Sequence, residues 1–164
     1  MVESGTLQDD TWNTAQRSES GMQRADRNFA ELLQELRILL TSVQILFGFL
    51  LTAAVTGAVA RLDGLQHALY LTATVAVTIS SIVLISPVAT HRLLFRRGRK
   101  LELVMTAQRA TVAGMALLGI ASCAGFVLLL DLAVGRLVSV ALGVALFVGT
   151  VLLWFVVPLR LRRS

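Results

Sequence analysis

Four apolar stretches dominate this sequence, and each is long enough to cross a bilayer. They lie at about Ile38–Ala60, Ala68–Val88, Thr111–Leu130 and Leu137–Val157. A helix needs roughly 20 mostly apolar residues to span the hydrocarbon core. Lipid offers no partner to backbone N–H and C=O groups, so such stretches fold as helices that satisfy their own. Helices buried in a soluble core would need polar sequence to cover them. Only 15% of the 164 residues are charged and 55% are hydrophobic, where a soluble domain carries about 25% charged residues. The prediction is an all-α polytopic membrane protein with four transmembrane helices. A disordered cytoplasmic tail is expected at 1–28, the transmembrane domain at 29–160 and a basic cytoplasmic tail at 161–164.

The basic residues predict an orientation. Of fifteen Lys and Arg, only Arg61 and Arg136 lie in the first and third connections between spans, each with an acid nearby, Asp63 and Asp131. The others precede the first span (Arg17, Arg24, Arg27, Arg37), cluster around the second connection (Arg92, Arg96, Arg97, Arg99, Lys100, Arg109) or follow the fourth span (Arg160, Arg162, Arg163). Positive charge near span ends marks the cytoplasmic side. Both termini and the central loop are therefore expected in the cytoplasm of a multi-pass protein of the cell membrane. The net charge of +5 then points to anionic lipid headgroups rather than nucleic acid. The first span is too long, and its polar leader too extended, for a cleaved signal peptide.

Polar residues in the first two spans are not scattered. At about 100° per residue, Gln34, Arg37, Thr41, Gln44, Gly48 and Thr52 fall within an arc of roughly 80°. In the second span Tyr70, Thr74, Thr78 and Ser81 cluster in the same way, with His67 beside them. Polar groups facing hydrocarbon lack partners, so both stripes are expected to face protein or trapped water. Ordinary helix packing explains such stripes, and a hydrated pathway is the alternative. Ala141, Ala145 and Gly149 form a small-residue ridge on the fourth span that suits close helix contact, within the chain or between copies.

At the cytoplasmic rim, Asn28 with Glu31 fits a capping box that starts the first helix. Glu31 and Glu35 are expected to pair with Arg92, Arg96 or Arg97, since the planar guanidinium binds carboxylates bidentately. Pro87 and Gly98 punctuate the segment between them. A shift of 71 residues aligns Glu31, Gly48, Gly64 and Pro87 with Glu102, Gly119, Gly135 and Pro158, a weak sign of duplicated hairpins.

The segments NFAELLQELRILLTSVQILFGFLL, SPVATHRLLFRRGRKLELV and WFVVPLR carry a further signal. Between Asn28 and Arg160 the chain resembles a family of small actinobacterial membrane proteins defined only as a domain of unknown function. The resemblance implies a four-span membrane protein of undefined activity, some of whose relatives are labelled sodium:proton antiporters. It assigns no catalytic residue.

Enzyme chemistry finds no support in the residues. Cys123 has no intrachain partner, no glycine-rich phosphate loop is present, and His67 and His91 sit at opposite ends of one span, too far apart for one haem iron. No catalytic, cofactor or metal site is expected. Ion-coupled transporters commonly place an ionisable group near the bilayer middle, and none of the ten acids falls there. The expectation is a non-enzymatic envelope or assembly component, with a small ion transporter or sodium/proton antiporter, working as an oligomer, as the alternative. The expected partners are the bilayer and its anionic headgroups, with a homo-oligomer left open.

Overall fold

A computed structural model describes residues 21–94 and 100–161, which are helical except at 56–58, 62–63 and 135. Helix α1 is Gly21–Val55, α2 is Gly64–Leu94, α3 is Lys100–Val134 and α4 is Arg136–Val151. A short 3-10 turn, Val59–Arg61, lies between α1 and α2. Beyond α4 the chain runs through a π-helical turn, Leu152–Val156, into a last α-turn, Val157–Leu161. Four of these helical segments are long and apolar enough to cross a membrane: Arg27–Val55, Gly64–Thr90, Met105–Val134 and Arg136–Leu161.

An apolar seam with alternating three- and four-residue steps holds the first three helices together. On α2 the seam runs through the buried Tyr70, Ala73, Val77, Ser80, Leu84 and Pro87, with Ala76 buried beside it. On α3 it runs through Ala107, Thr111, Gly114, Leu118, Ala121, Gly125 and Leu128, with Gly119, Cys123 and Ala124 buried beside it. On α1, Phe29, Leu32, Leu36, Val43 and Leu50 are buried, with Leu39 and Leu46 partly buried in the same register. This 3.5-residue period keeps one face of each helix turned toward its neighbours. The α2–α3 pair is the centre of the bundle. There Leu84 lies against Gly114, and a Cβ built on Gly114 would stand 2.4 Å from Leu84 Cδ2. Beside it, the buried Ser80 hydroxyl donates to the Gly114 carbonyl at 2.8 Å.

Helix α4 is attached by small residues. Its buried positions are Ser139 and Gly143, and a Cβ on Gly143 would meet Val127 Cγ2 of α3 at 2.1 Å. The expected ridge is not this contact. Ala141 and Ala145 are exposed, and nothing lies within 4 Å of a Cβ on Gly149. The α3–α4 contact uses the neighbouring face, where Ser139 and Gly143 present the same four-residue spacing and Gly143 admits Val127.

Three further expectations change. Helix α1 is already formed at Gly21, the first described residue, so Asn28 lies inside it and is not its N-cap. Residues 23–27 include good helix formers, and Arg27 pairs with Glu31 one turn on, at 3.8 Å. Residues 1–20 of the expected tail, and 162–164 of the basic tail, lie outside the described residues.

Second, α2 does not break at Pro87 but runs on to Leu94. Proline has no N–H to give the carbonyl four residues back. Here the Ser86 hydroxyl donates to that carbonyl, Val83 O, at 2.7 Å.

Third, the aligned glycines are not equivalent. Gly135 has φ +93° while Gly64 does not have positive φ, and Gly48 is exposed where Gly119 is buried.

Candidate functional site

The connections at one end of the bundle build a polar cluster. Asp63 precedes α2 and caps it. Its Oδ1 accepts from the backbone N–H groups of Leu65 and Gln66, both at 3.0 Å. Gln66 Oε1 in turn accepts from the Asp63 N–H at 3.1 Å. This is a reciprocal capping box that uses Asp and Gln. The free end of the Gln66 amide reaches across to α3, where Nε2 donates to Asp131 Oδ2 at 2.7 Å. Arg136, the first residue of α4, donates to Asp63 Oδ2 and, at 3.4 Å, to Asp131 Oδ2. The Ser139 hydroxyl lies 2.8 Å from the Arg136 carbonyl and 3.3 Å from Asp131 Oδ1, so it serves one of them at a time.

Three helix ends meet in this latch. The Asp131 side chain is only 4% exposed, while those of Asp63 and Arg136 are about half exposed, at 47% and 52%. The backbone N–H of Gln66 and then the Arg136 guanidinium hold the Asp63 carboxyl below the usual carboxylate range. Gly135 makes the geometry possible. With φ 93° and ψ 165° it joins α3 to α4 through a single residue, in a region of backbone space open essentially to glycine alone. The sequence marked Asp63, Asp131 and Arg136 as connection charges. It did not show that Arg136 crosses to Asp63 of the other hairpin. The Asp-x-x-Gln spacing at 63–66 was a legible sign of the cap.

The stripes divide. On α2, Tyr70 is buried and its hydroxyl donates to the Leu50 carbonyl of α1 at 3.1 Å. Thr74 and Ser81 are half-buried, while Thr78 and His67 are exposed. The Thr74 and Thr78 hydroxyls close on carbonyls of their own helix, those of Tyr70 and Thr74.

On α1 the stripe does not face the other helices of this chain. Gln34, Arg37, Thr41, Gln44, Gly48 and Thr52 are all exposed. The reason is angular: the buried Leu36, Val43 and Leu50 lie about 180° from Gln34, so the bundle takes the apolar seam and leaves the polar stripe outside. Thr41 and Thr52 donate to the Arg37 and Gly48 carbonyls, both at 2.9 Å. Among the described residues no hydrogen bond reaches the Gln44 side chain. A second side chain that joins helices within the spans, Ser80, was missed. It belongs to the α2 seam and not to the counted stripe.

At the opposite end, Glu31 and Glu35 line a small cleft of about 230 Å³ with Asn28, Leu32 and Gln108. Among the described residues no ion pair joins either acid to Arg92, which is exposed. Arg96 and Arg97 lie outside the described residues.

A family model described as a family of unknown function, DUF6328, matches residues 18–158. The chain belongs to this family. No curated protein and no solved structure matches it. The DUF6328 match covers the latch, both stripes and all four apolar helices, and the chain is a multi-pass integral membrane protein of undefined activity.

Proposed function

We propose that this protein is a non-enzymatic assembly component of the cell membrane. Its termini and the 95–99 connection lie in the cytoplasm and the latch lies outside. One observation carries the reading: the chemistry within the bundle is spent on holding helices together. The buried polar side chains among the described residues are the hydroxyls of Ser80, Thr111, Ser139 and Tyr70, with the Asp131 carboxyl of the latch 4% exposed. Ser80 bonds the Gly114 carbonyl of the facing helix, and Thr111 the Ala107 carbonyl of its own. Ion-coupled carriers work through ionisable groups or unwound backbone near the bilayer middle. The central seams here are built from unbroken helix and residues such as Val43, Val77 and Ala121. The basic residues near Arg92 and Arg160 supply the rim that anionic headgroups attract.

The test is flux. The purified chain is reconstituted in vesicles carrying pH- and Na⁺-sensitive dyes. No flux above that of empty vesicles is expected; a protein-dependent Na⁺ or H⁺ flux that saturates with ion concentration overturns the reading in favour of an antiporter. Orientation is tested separately, by impermeant thiol reagents on single cysteines in a Cys123→Ala background. Positions 64 and 134 should label from outside intact cells, and position 98 should not.

A further inference from the structure

We propose that the exposed polar face of α1 is the contact with a second copy of this chain, with the two Gln44 side chains paired near the middle of the bilayer. The proposal concerns contact alone and holds whether or not the chain carries ions.

Depth comes first. Gln44 lies eleven residues before Val55, the last residue of α1. At a rise of 1.5 Å per residue this is about 16 Å, close to half of a hydrocarbon core about 30 Å thick. Arg37 sits about 10 Å nearer the opposite boundary, where its stem lets the guanidinium reach headgroups and water.

The amide at that depth is exposed and unbonded among the described residues. Its neighbours on the stripe, Thr41 and Thr52, satisfy themselves on their own helix. Gln44 makes no such bond among the described residues, and hydrocarbon offers it nothing. Its partner has to come from another chain.

A second copy fits that need. A side-chain amide is donor and acceptor at once, so two of them related by a twofold axis form a reciprocal pair. Copies inserted the same way round carry Gln44 at the same depth, and twofold dimers are the commonest symmetric assembly. Gly48, one turn away on the same face, leaves open space, with nothing within 4 Å of a built Cβ. Two α1 backbones can therefore approach closely beside the amide pair. Helix α4 is as free of the bundle as α1, with 6% and 11% of their spans buried against 33% and 39% for α2 and α3. The exposed face of α4, however, is apolar, and lipid satisfies it.

The test uses the purified full-length chain in vesicles of phosphatidylethanolamine and phosphatidylglycerol, where only copies of itself are present. Single cysteines are placed at Thr41→Cys and Thr52→Cys on the stripe, and at Ile82→Cys and Leu153→Cys on exposed faces of α2 and α4. All are in a Cys123→Ala background and are oxidised with copper phenanthroline. Disulfide dimers are expected at the first two positions and not at the others. Adding Gln44→Leu, or Gly48→Leu, which the single chain has room for, should lower the Thr41→Cys dimer about fivefold. For Gln44→Leu that is the order expected when both bonds of a reciprocal amide pair are lost in a membrane; for Gly48→Leu it reflects the lost close approach. Gln44→Asn should retain most of the dimer. Cross-linking as strong at Ile82→Cys or Leu153→Cys, no cross-linking at the stripe, or a yield unchanged by Gln44→Leu overturns the proposal. Absence of cross-linking with only this chain present would assign the stripe to an unlike partner.

Discussion

Replacing Gly114 by Ala tests whether α2 and α3 are set by the close approach at Leu84. The new methyl would sit 2.4 Å from Leu84 Cδ2 and 2.5 Å from Leu84 Cγ. Leu84 is fully buried, with 0% exposure, and Cγ is not the free end of its side chain. Rotation of a terminal methyl cannot relieve the clash, so the helices must part or Leu84 must leave its rotamer. Overpacking of this kind costs about 1–3 kcal/mol. Parting the helices also stretches the Ser80–Gly114 bond of 2.8 Å, and interhelical bonds in membranes average about 0.6 kcal/mol. Gly114→Ala is therefore expected to destabilise by about 2–3 kcal/mol. The assay is unfolding in mixed micelles with rising sodium dodecyl sulfate, followed by helical circular dichroism. Leu84→Ala alone opens a cavity and destabilises too. Placed together, the two changes should interact favourably by more than about 1 kcal/mol, because the added methyl fills space that the leucine vacates. If Gly114→Ala is neutral, or the two effects simply add, the seam is not set by this contact.

Gly135→Ala should cost about 1–3 kcal/mol in the same assay, since its backbone region is essentially closed to other residues; Gly64→Ala, where the φ is ordinary and the space open, should be near neutral. Ser86→Ala should cost about 1 kcal/mol by orphaning the Val83 carbonyl, and the loss should vanish in a Pro87→Ala background, where the restored N–H takes that carbonyl; an unchanged loss there refutes the rescue by Ser86. The latch makes stability depend on acid. The folded Asp63 carboxyl titrates below its unfolded value, so its contribution is fully present above about pH 3.9 and is lost as pH falls through the folded value. Asp63→Asn should flatten that part of the stability–pH profile, and an unchanged profile means that another group is responsible.

Run length alone located the four spans, because the bilayer allows few other outcomes for such stretches. Span ends were less legible. Phe29, Leu32 and Leu36 carry the α1 seam past the apolar run, so the helix continues where composition turns charged. The arc on α1 lies off the seam that joins the helices of one chain. Counting polar residues located Gln44, but the steps of the apolar residues, 29, 32, 36, 43 and 50, decide which face the bundle keeps. The same steps on α2 pass through Ser80 and leave Thr78 outside. The latch needed two hairpins side by side before Arg136 could reach Asp63, and no local spacing encodes that. Pro87 marked the rim segment, but that Ser86 takes over its missing hydrogen bond depends on the orientation of one hydroxyl, which no spacing shows.

The single-residue corner at Gly135 also bears on how the chain enters a membrane. A helix followed by a long polar loop can be threaded across first and joined later. Here α3 and α4 are separated by one residue whose own backbone forms the bend, so the corner has little slack for one helix to shift in depth without the other. Insertion of α3 and α4 as a paired hairpin is the expected consequence.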